Sequence, residues 1–261
     1  MRMDLKLFSP KGNIAADIQA IWSVGVSTGH REPIVRLLLG DAGSGILFNF
    51  GPEVFFDGIW HPPGIILLPT SQTSQNIIMP PGTQMAGIRF HPAMGYQCLG
   101  KRFDNPVRSE RETDIHTLLS PLYLQLCACS GHYPRIRTMY QFTRQHIVSR
   151  SESHQRVKEI LRHTHHKHAK ETTLGLRQIE RHFQSWMGMT PKYYQRVIRV
   201  KQAMEQLRLA PSTSLAELAA DFGFADQAHM TREFRTLANI TPKHYARRYL
   251  FNALQAKNSP A

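Results

Sequence analysis

Two lysines stand in the same local setting, 51 residues apart as counted from Pro191 to Pro242. Lys192 lies in MTPKYYQRV (Met189–Val197) and Lys243 in ITPKHYARR (Ile240–Arg248). Thr is a good helix N-cap and Pro suits the first helical position. Each Thr-Pro-Lys therefore reads as the opening of a helix whose unpaired amides point outward. A helix end of that kind with an ammonium beside it favours phosphate. The candidate phosphate contacts are Thr190, Lys192 and Tyr193 in the first copy, and Thr241, Lys243 and Arg247 in the second. The likeness extends upstream: Arg-x-Phe occurs in both copies (Arg181/Phe183 and Arg232/Phe234), and Thr-Pro follows seven residues after each Phe. A spacing this regular reads as an internal repeat.

The elements that must hold these groups are clearer in the second copy. Ser214-Leu-Ala-Glu217 has the form of a capping box, in which the Ser hydroxyl and the Glu side chain bond each other's backbone amides. Leu215, Leu218 and Ala219 give that short helix an inward face. Gly223, flanked by Phe222 and Phe224, supplies a turn, and a second helix starts near Asp226. Met230, Phe234 and Leu237 share one face of it, while Gln227, Ala228, Thr231, Arg232 and Arg235 share the other. Two short helices around a Gly turn, the second polar and basic outside, read as a helix-turn-helix. In the first copy Ile179, Phe183 and Trp186 form the apolar stripe with Leu176 one turn earlier; Arg177, Glu180, Arg181 and Gln184 stand outside. The helix opened at Thr190 runs to about Leu209, before Pro211. At 1.5 Å per residue it spans roughly 30 Å, close to the roughly 34 Å of one DNA turn.

Charge agrees with an anionic partner. Residues 1–114 hold ten Lys/Arg and ten Asp/Glu, so the net charge of +13 lies wholly in residues 115–261. One neutral and one basic half point to a polyanion, nucleic acid ahead of an anionic membrane. No apolar run is long enough for a signal peptide or a membrane span, so the expected location is cytoplasmic. Cys98, Cys127 and Cys129 form no CxxC pair and are expected to be reduced and mostly buried. Of the cluster His163, His165, His166 and His168, only His163 with His166 has helical metal-ligand spacing. With no Cys or carboxylate partner evident, a phosphate-facing cluster is the reading, and no metal is expected.

The first hundred residues read as β structure. Ile34–Leu39, ILFNF, EVFFDGIW, GIILLP, QNIIMP and MAGIRF are short apolar runs punctuated by Gly or Pro. The expected fold class is α+β: an N-terminal β-barrel or cupin-like domain, then an all-α domain with two helix-turn-helix units joined by a long helix. A cupin-like metalloenzyme would need several His and a Glu on one metal. His61 and His91 are isolated, so no catalytic residue and no cofactor are expected. Trp22, Phe55, Phe56 and Trp60 either line a pocket or fill the core. After DNPVRSERETD the periodicity turns helical: Ile115, Leu118, Leu119, Leu122, Tyr123 and Leu126 make one stripe. GHYP ends that helix, and Ile136, Met139, Tyr140, Thr143 and Ile147 make a second stripe. This pair either covers the β structure or meets its copy in a dimer. The expected domains are 1–103, 104–150 and 151–261.

The stretch from Gly175 to Tyr249 resembles the DNA-binding domain of the AraC/XylS family of bacterial transcription regulators. The resemblance is carried by LRQIERHFQSWMGMTPKYYQRVIRVKQAMEQL and SLAELAADFGFADQAHMTREFRTLANITPKHYARR. It implies two helix-turn-helix units, each reading a major groove, with Arg177, Glu180 and Arg181, then Gln227, Thr231 and Arg232, as base-reading residues. IQAIW, GSGILFNFG and PPGTQMAGIRFHP are similar, more weakly, to the β-rich sensor domain of some of these regulators. The expected partners are double-stranded DNA first, then RNA polymerase, a small-molecule effector and a second copy in a homodimer, with no membrane. The chain departs from the family at RHTHHKHAKETT, which stands where the first unit's supporting helix belongs and lacks apolar anchors. A non-specific architectural DNA binder is the alternative reading.

Overall fold

The computed structural model describes residues 3–147, 157, 159–161 and 175–248. The histidine cluster His163, His165, His166 and His168, and the segment replacing the first supporting helix, lie outside the described residues. Ten strands come first: β1 (Met3–Phe8), β2 (Ile18–Val26), β3 (Ile34–Leu38), β4 (Gly45–Asn49), β5 (Val54–Phe56), β6 (Ile59–His61), β7 (Gly64–Leu68), β8 (Gln75–Met79), β9 (Gln84–Phe90) and β10 (Val107–Arg108). They form a six-stranded sheet in the order β1-β2-β9-β4-β7-β10 and a four-stranded sheet in the order β3-β8-β5-β6. The α+β class is as expected, and of the expected β arrangements two packed sheets form in place of a closed barrel. A barrel needs an unbroken ring of paired strands, whereas here each sheet keeps two edges and the frequent Gly and Pro turns send the chain from one sheet to the other.

The two sheets share one core. Val24, Leu47, Ile66 and Met85 from the larger sheet meet Val54, Phe56, Ile77 and Met79 from the smaller. The β5–β6 hairpin turns on Asp57 and Gly58, both at positive φ (53° and 77°), the conformation that two-residue hairpin turns need. Gly87 faces Trp22 across β2 and β9; a Cβ there would lie 2.5 Å from the indole. Phe56 is core, stacked on the buried His61 at 3.8 Å, while Trp60 stays half exposed against Phe55. His61 and His91 each bond a backbone carbonyl, of Phe56 and Ala15, through Nε2 at 3.1 Å.

Three helices complete this part: α1 (Met94–Leu99), α2 (Thr113–Ala128) and α3 (His132–Phe142). Ile115, Leu119, Leu122 and Leu126 of α2 are buried, as are Ile136 and Met139 of α3 and Thr143 and Ile147 just beyond it. α2 packs on β7, and α3 on β1, β2 and β9, so these stripes cover the sheet. GHYP was expected to end α2; instead it opens α3, with Gly131 as a positive-φ cap (95°). Pro134 then falls in the first turn, where an amide is not needed. The thiols differ from expectation too: Cys127 is exposed, and Cys98 and Cys129 are half-buried.

The remaining helices are α4 (Leu176–Met187), α5 (Pro191–Leu209), α6 (Leu215–Asp221) and α7 (Gln227–Ala238), followed by helical residues 242–248. By contacts the chain groups into two compact units. One comprises Met1–Leu38, Ala42–Ser71 and Asn76–Pro191; the other comprises Leu39–Asp41, Gln72–Gln75 and Lys192–Ala261. No helix among the described residues is long and apolar enough to cross a membrane.

Candidate nucleic-acid interface

The second unit contains a complete helix-turn-helix. α6 ends in a Schellman motif: the Phe224 amide donates to the Ala219 carbonyl (2.9 Å) and the Gly223 amide to that of Ala220 (3.1 Å). Gly223 sits at φ 69°, the left-handed region this motif requires. No atom stands within 4 Å of where its Cβ would be, so only backbone strain opposes a side chain. Gly223→Ala is expected to cost about 1 kcal/mol, and Gly223→Asn less, measured by thermal unfolding. Asn239, the C-cap of α7, already holds a left-handed conformation (φ 53°) with a side chain.

The start of α7 follows the sequence. Asp226 is the N-cap, and its carboxylate accepts the His229 amide at 2.5 Å. Ser214 is the N-cap of α6, but its hydroxyl makes no cap bond. The expected capping box is thus not formed; Ser214 is exposed, and at an exposed helix end water can satisfy the free amides.

α7 is divided cleanly by burial. Met230 and Phe234 are fully buried and Leu237 nearly so. Gln227, Ala228, Arg232 and Arg235 are exposed on the other side, and with half-buried Thr231 they line one shallow concavity. Neither Arg232 nor Arg235 has a carboxylate partner among the described residues, so both guanidinium groups are available to an outside acceptor. Thr231 Oγ1 already donates to the Gln227 carbonyl at 2.9 Å, leaving its lone pairs and methyl group to face outward.

Beyond α7, Thr241 caps the last helical turns: its hydroxyl accepts the His244 amide (3.2 Å) and its carbonyl the Tyr245 amide (2.9 Å). Lys243 and Arg247 are both exposed and four residues apart, hence neighbours on one helical face. The earlier copy is parallel in part. Pro191 is the first residue of α5, Thr190 and Lys192 are exposed, and Tyr193 is half-buried under the Arg196 guanidinium, 5.3 Å from its ring.

α4 belongs to the first unit. Phe183, Trp186 and Met187 are buried, whereas Arg177, Glu180, Arg181 and Gln184 are exposed. Leu176, read as part of the stripe, is 81% exposed; it is the first residue of the helix, where the chain has not yet turned onto the packed face. Arg102 donates to the Gln184 carbonyl at 2.6 Å, where the helix ends on Gly188 (φ 68°). Gly188 and Asn239 both stand three residues before the Pro of their copy, so the repeat includes a left-handed C-cap.

Sequence reading missed one pair. Arg196, on α5, forms two hydrogen bonds to Glu233, on α7, at 2.8 and 2.9 Å. Glu233 is buried, and those bonds hold its carboxyl below the usual range against the opposing effect of burial. The partners are 37 residues apart, and no local spacing rule reaches that far. The signal available was an acid flanked by Arg232 and Phe234, at the edge of the apolar stripe.

Residues 168–248 match a family model described as a helix-turn-helix domain. No curated protein matches the chain. Among solved structures, ToxT from Vibrio cholerae O395 is similar at 9% identity, covering 82% of this chain and 96% of that one, with a TM-score of 0.43. Unsaturated fatty acid-bound ToxT from Vibrio cholerae strain SCE256 is similar at 8% identity, covering 83% and 95%, with a TM-score of 0.38. Likenesses at that level carry no functional inference for this chain. The matched model and the helix pair around Gly223 agree: residues 168–248 match an AraC-type helix-turn-helix domain.

Proposed function

We propose that the protein is a sequence-specific transcription regulator. Its recognition helices α4 and α7 enter successive major grooves, and its β-rich half senses a small molecule or dimerises. The observation that carries this reading is the outer face of α7: Gln227, Arg232 and Arg235 stand exposed on a helix fixed by a capped start and a buried stripe. Arg232 and Gln227 are side chains suited to bidentate contact with guanine and adenine edges, and the Thr231 methyl suits thymine. In α4 the same role falls to Arg177, Glu180 and Arg181. Thr190, Lys192, Tyr193, Thr241, Lys243 and Arg247 take phosphates at the two helix openings. α5 has 19 residues, or about 28 Å, a length that suits adjacent grooves.

Selection of binding sites from random duplex DNA tests this. Two preferred blocks about one turn apart are expected, and a single block assigns reading to α7 alone. On the selected site, Arg232→Ala should lose about 1–3 kcal/mol and relax preference at one position. Lys243→Ala should weaken every sequence alike and reduce the salt slope by about one. Equal affinity for every duplex would reject the reading in favour of an architectural binder that contacts only phosphates.

A further inference from the structure

The turn before α7 is closed by a side chain that no N-cap rule requires. The Ala225 amide donates to Nδ1 of His229 at 3.1 Å, while the His229 amide donates to the Asp226 carboxylate. These bonds run in opposite directions across the helix start, a variant of the capping box in which the residue usually Glu or Gln is a histidine and reaches the amide one residue before the cap. The imidazole also meets the buried Phe224 ring edge-on at 5.8 Å. Arg199 of α5 lies over the other part of that contact, 5.5 Å from the Phe224 ring. The residue thus ties the turn to the start of α7, where Gln227 and Ala228 stand with Thr231 one turn on.

We propose that His229 is a positioning residue for DNA reading, and that it locks the entry of α7 only while its ring is neutral. The inference rests on the reading of α7 as a recognition helix. A ring nitrogen accepts a hydrogen bond through its lone pair, so Nδ1 must be bare and Nε2 must carry the proton. Protonation fills that lone pair and turns the acceptor into a second donor facing the Ala225 amide. The bond is therefore present at high pH and lost as the ring takes up a proton. Among charged groups, the Asp226 carboxylate caps the His229 amide, Glu233 lies one turn on along α7, and Arg199 of α5 shares the Phe224 ring with the imidazole.

The sign of the effect on DNA is distinctive. Acid adds positive charge to a basic protein and tightens binding to a polyanion. Loss of the His229 lock works the other way. His229→Gln retains an acceptor at this position that does not titrate, so the ratio of wild-type to H229Q affinity removes the charge trend of every other group and leaves only His229 itself, whose added charge favours DNA and works against the predicted fall. Between pH 8.0 and 5.5 on the selected duplex, that ratio should fall roughly three- to tenfold, the range expected for one hydrogen bond. The ratio of specific to scrambled-duplex binding of the wild type should fall with it. A ratio that stays constant with pH overturns the proposal. A second measurement needs no DNA: imidazole nitrogen shifts of the free protein should show the Nε2–H tautomer for His229 at pH 8.0. An Nδ1–H tautomer there would also overturn it. If the tautomer is as expected but neither protein distinguishes the selected duplex from a scrambled one, the recognition-helix reading fails instead.

Discussion

Phe234→Ala lowers the stability of the second helix-turn-helix by about 3–5 kcal/mol, the largest loss expected from any single change in α7. Phe234 is fully buried and stands between Met230 and Leu237 on the same stripe. Removing the ring gives up its transfer free energy and leaves a cavity between helices too short to collapse around it. Domains have only about 5–15 kcal/mol in total, so much of the margin would go. Urea denaturation followed by far-ultraviolet circular dichroism should show the shift. Arg235→Ala, on the exposed side of the same helix, should stay within about 0.5 kcal/mol. DNA binding should fail in the first variant through loss of folded protein and weaken in the second through loss of contact. Equal stability of the two variants would mean that α7 is not held by its apolar face.

Arg196→Ala is the second large effect, at about 1–3 kcal/mol, since Glu233 is buried but the Arg196 side chain is 33% exposed. Most of that cost comes from what remains. Glu233 is 8% exposed, and without the guanidinium its charge has no partner of similar geometry. Glu233→Gln in the same chain should recover much of the loss, because a neutral amide needs less compensation. A double-mutant cycle separates the two contributions. The pH dependence has a definite sign. Arg196 holds the Glu233 carboxyl below its ordinary range. The stabilisation is complete above the carboxyl's unfolded pKa and disappears as pH falls through its lowered folded value. The gap between wild type and Arg196→Ala should therefore narrow in acid. A gap that widens there would show that the pair does not hold α7.

The parts of this interface that could be read from sequence are those built from short-range rules. The Asp226 cap, the Gly223 turn, the Thr241 cap and the 19 helical residues after Thr190 all depend on neighbours within one turn. The stripe of Met230, Phe234 and Leu237 follows from helical period alone. The same rules failed where tertiary context or solvent decided. Leu176 matches the stripe by spacing yet is exposed, and Ser214 matches a capping box yet makes no cap bond. Arg196 with Glu233 could not be paired without the fold. In the β-rich half, strands β3, β4 and β7 to β9 were legible from their Gly and Pro punctuation, while the run EVFFDGIW proved to be two strands, β5 and β6. Their division into two sheets was not, because it depends on which strands pair across long separations.

Those separations have a consequence for how the molecule is made. Trp22 of β2 lies opposite Gly87 of β9, and β9 in turn is the strand that joins β2 to β4. Until about residue 90 has left the ribosome, the pair β1-β2 and the pair β4-β7 have no strand to join them. α6 and α7, by contrast, are linked through partners a few residues away. High contact order slows folding by orders of magnitude relative to local helical structure. α7 is synthesised last, yet beyond its local contacts it also needs Arg196 for Glu233 and Ser74, whose amide donates to the Leu237 carbonyl at 2.7 Å, so in both parts completion waits on pairings of high sequence separation.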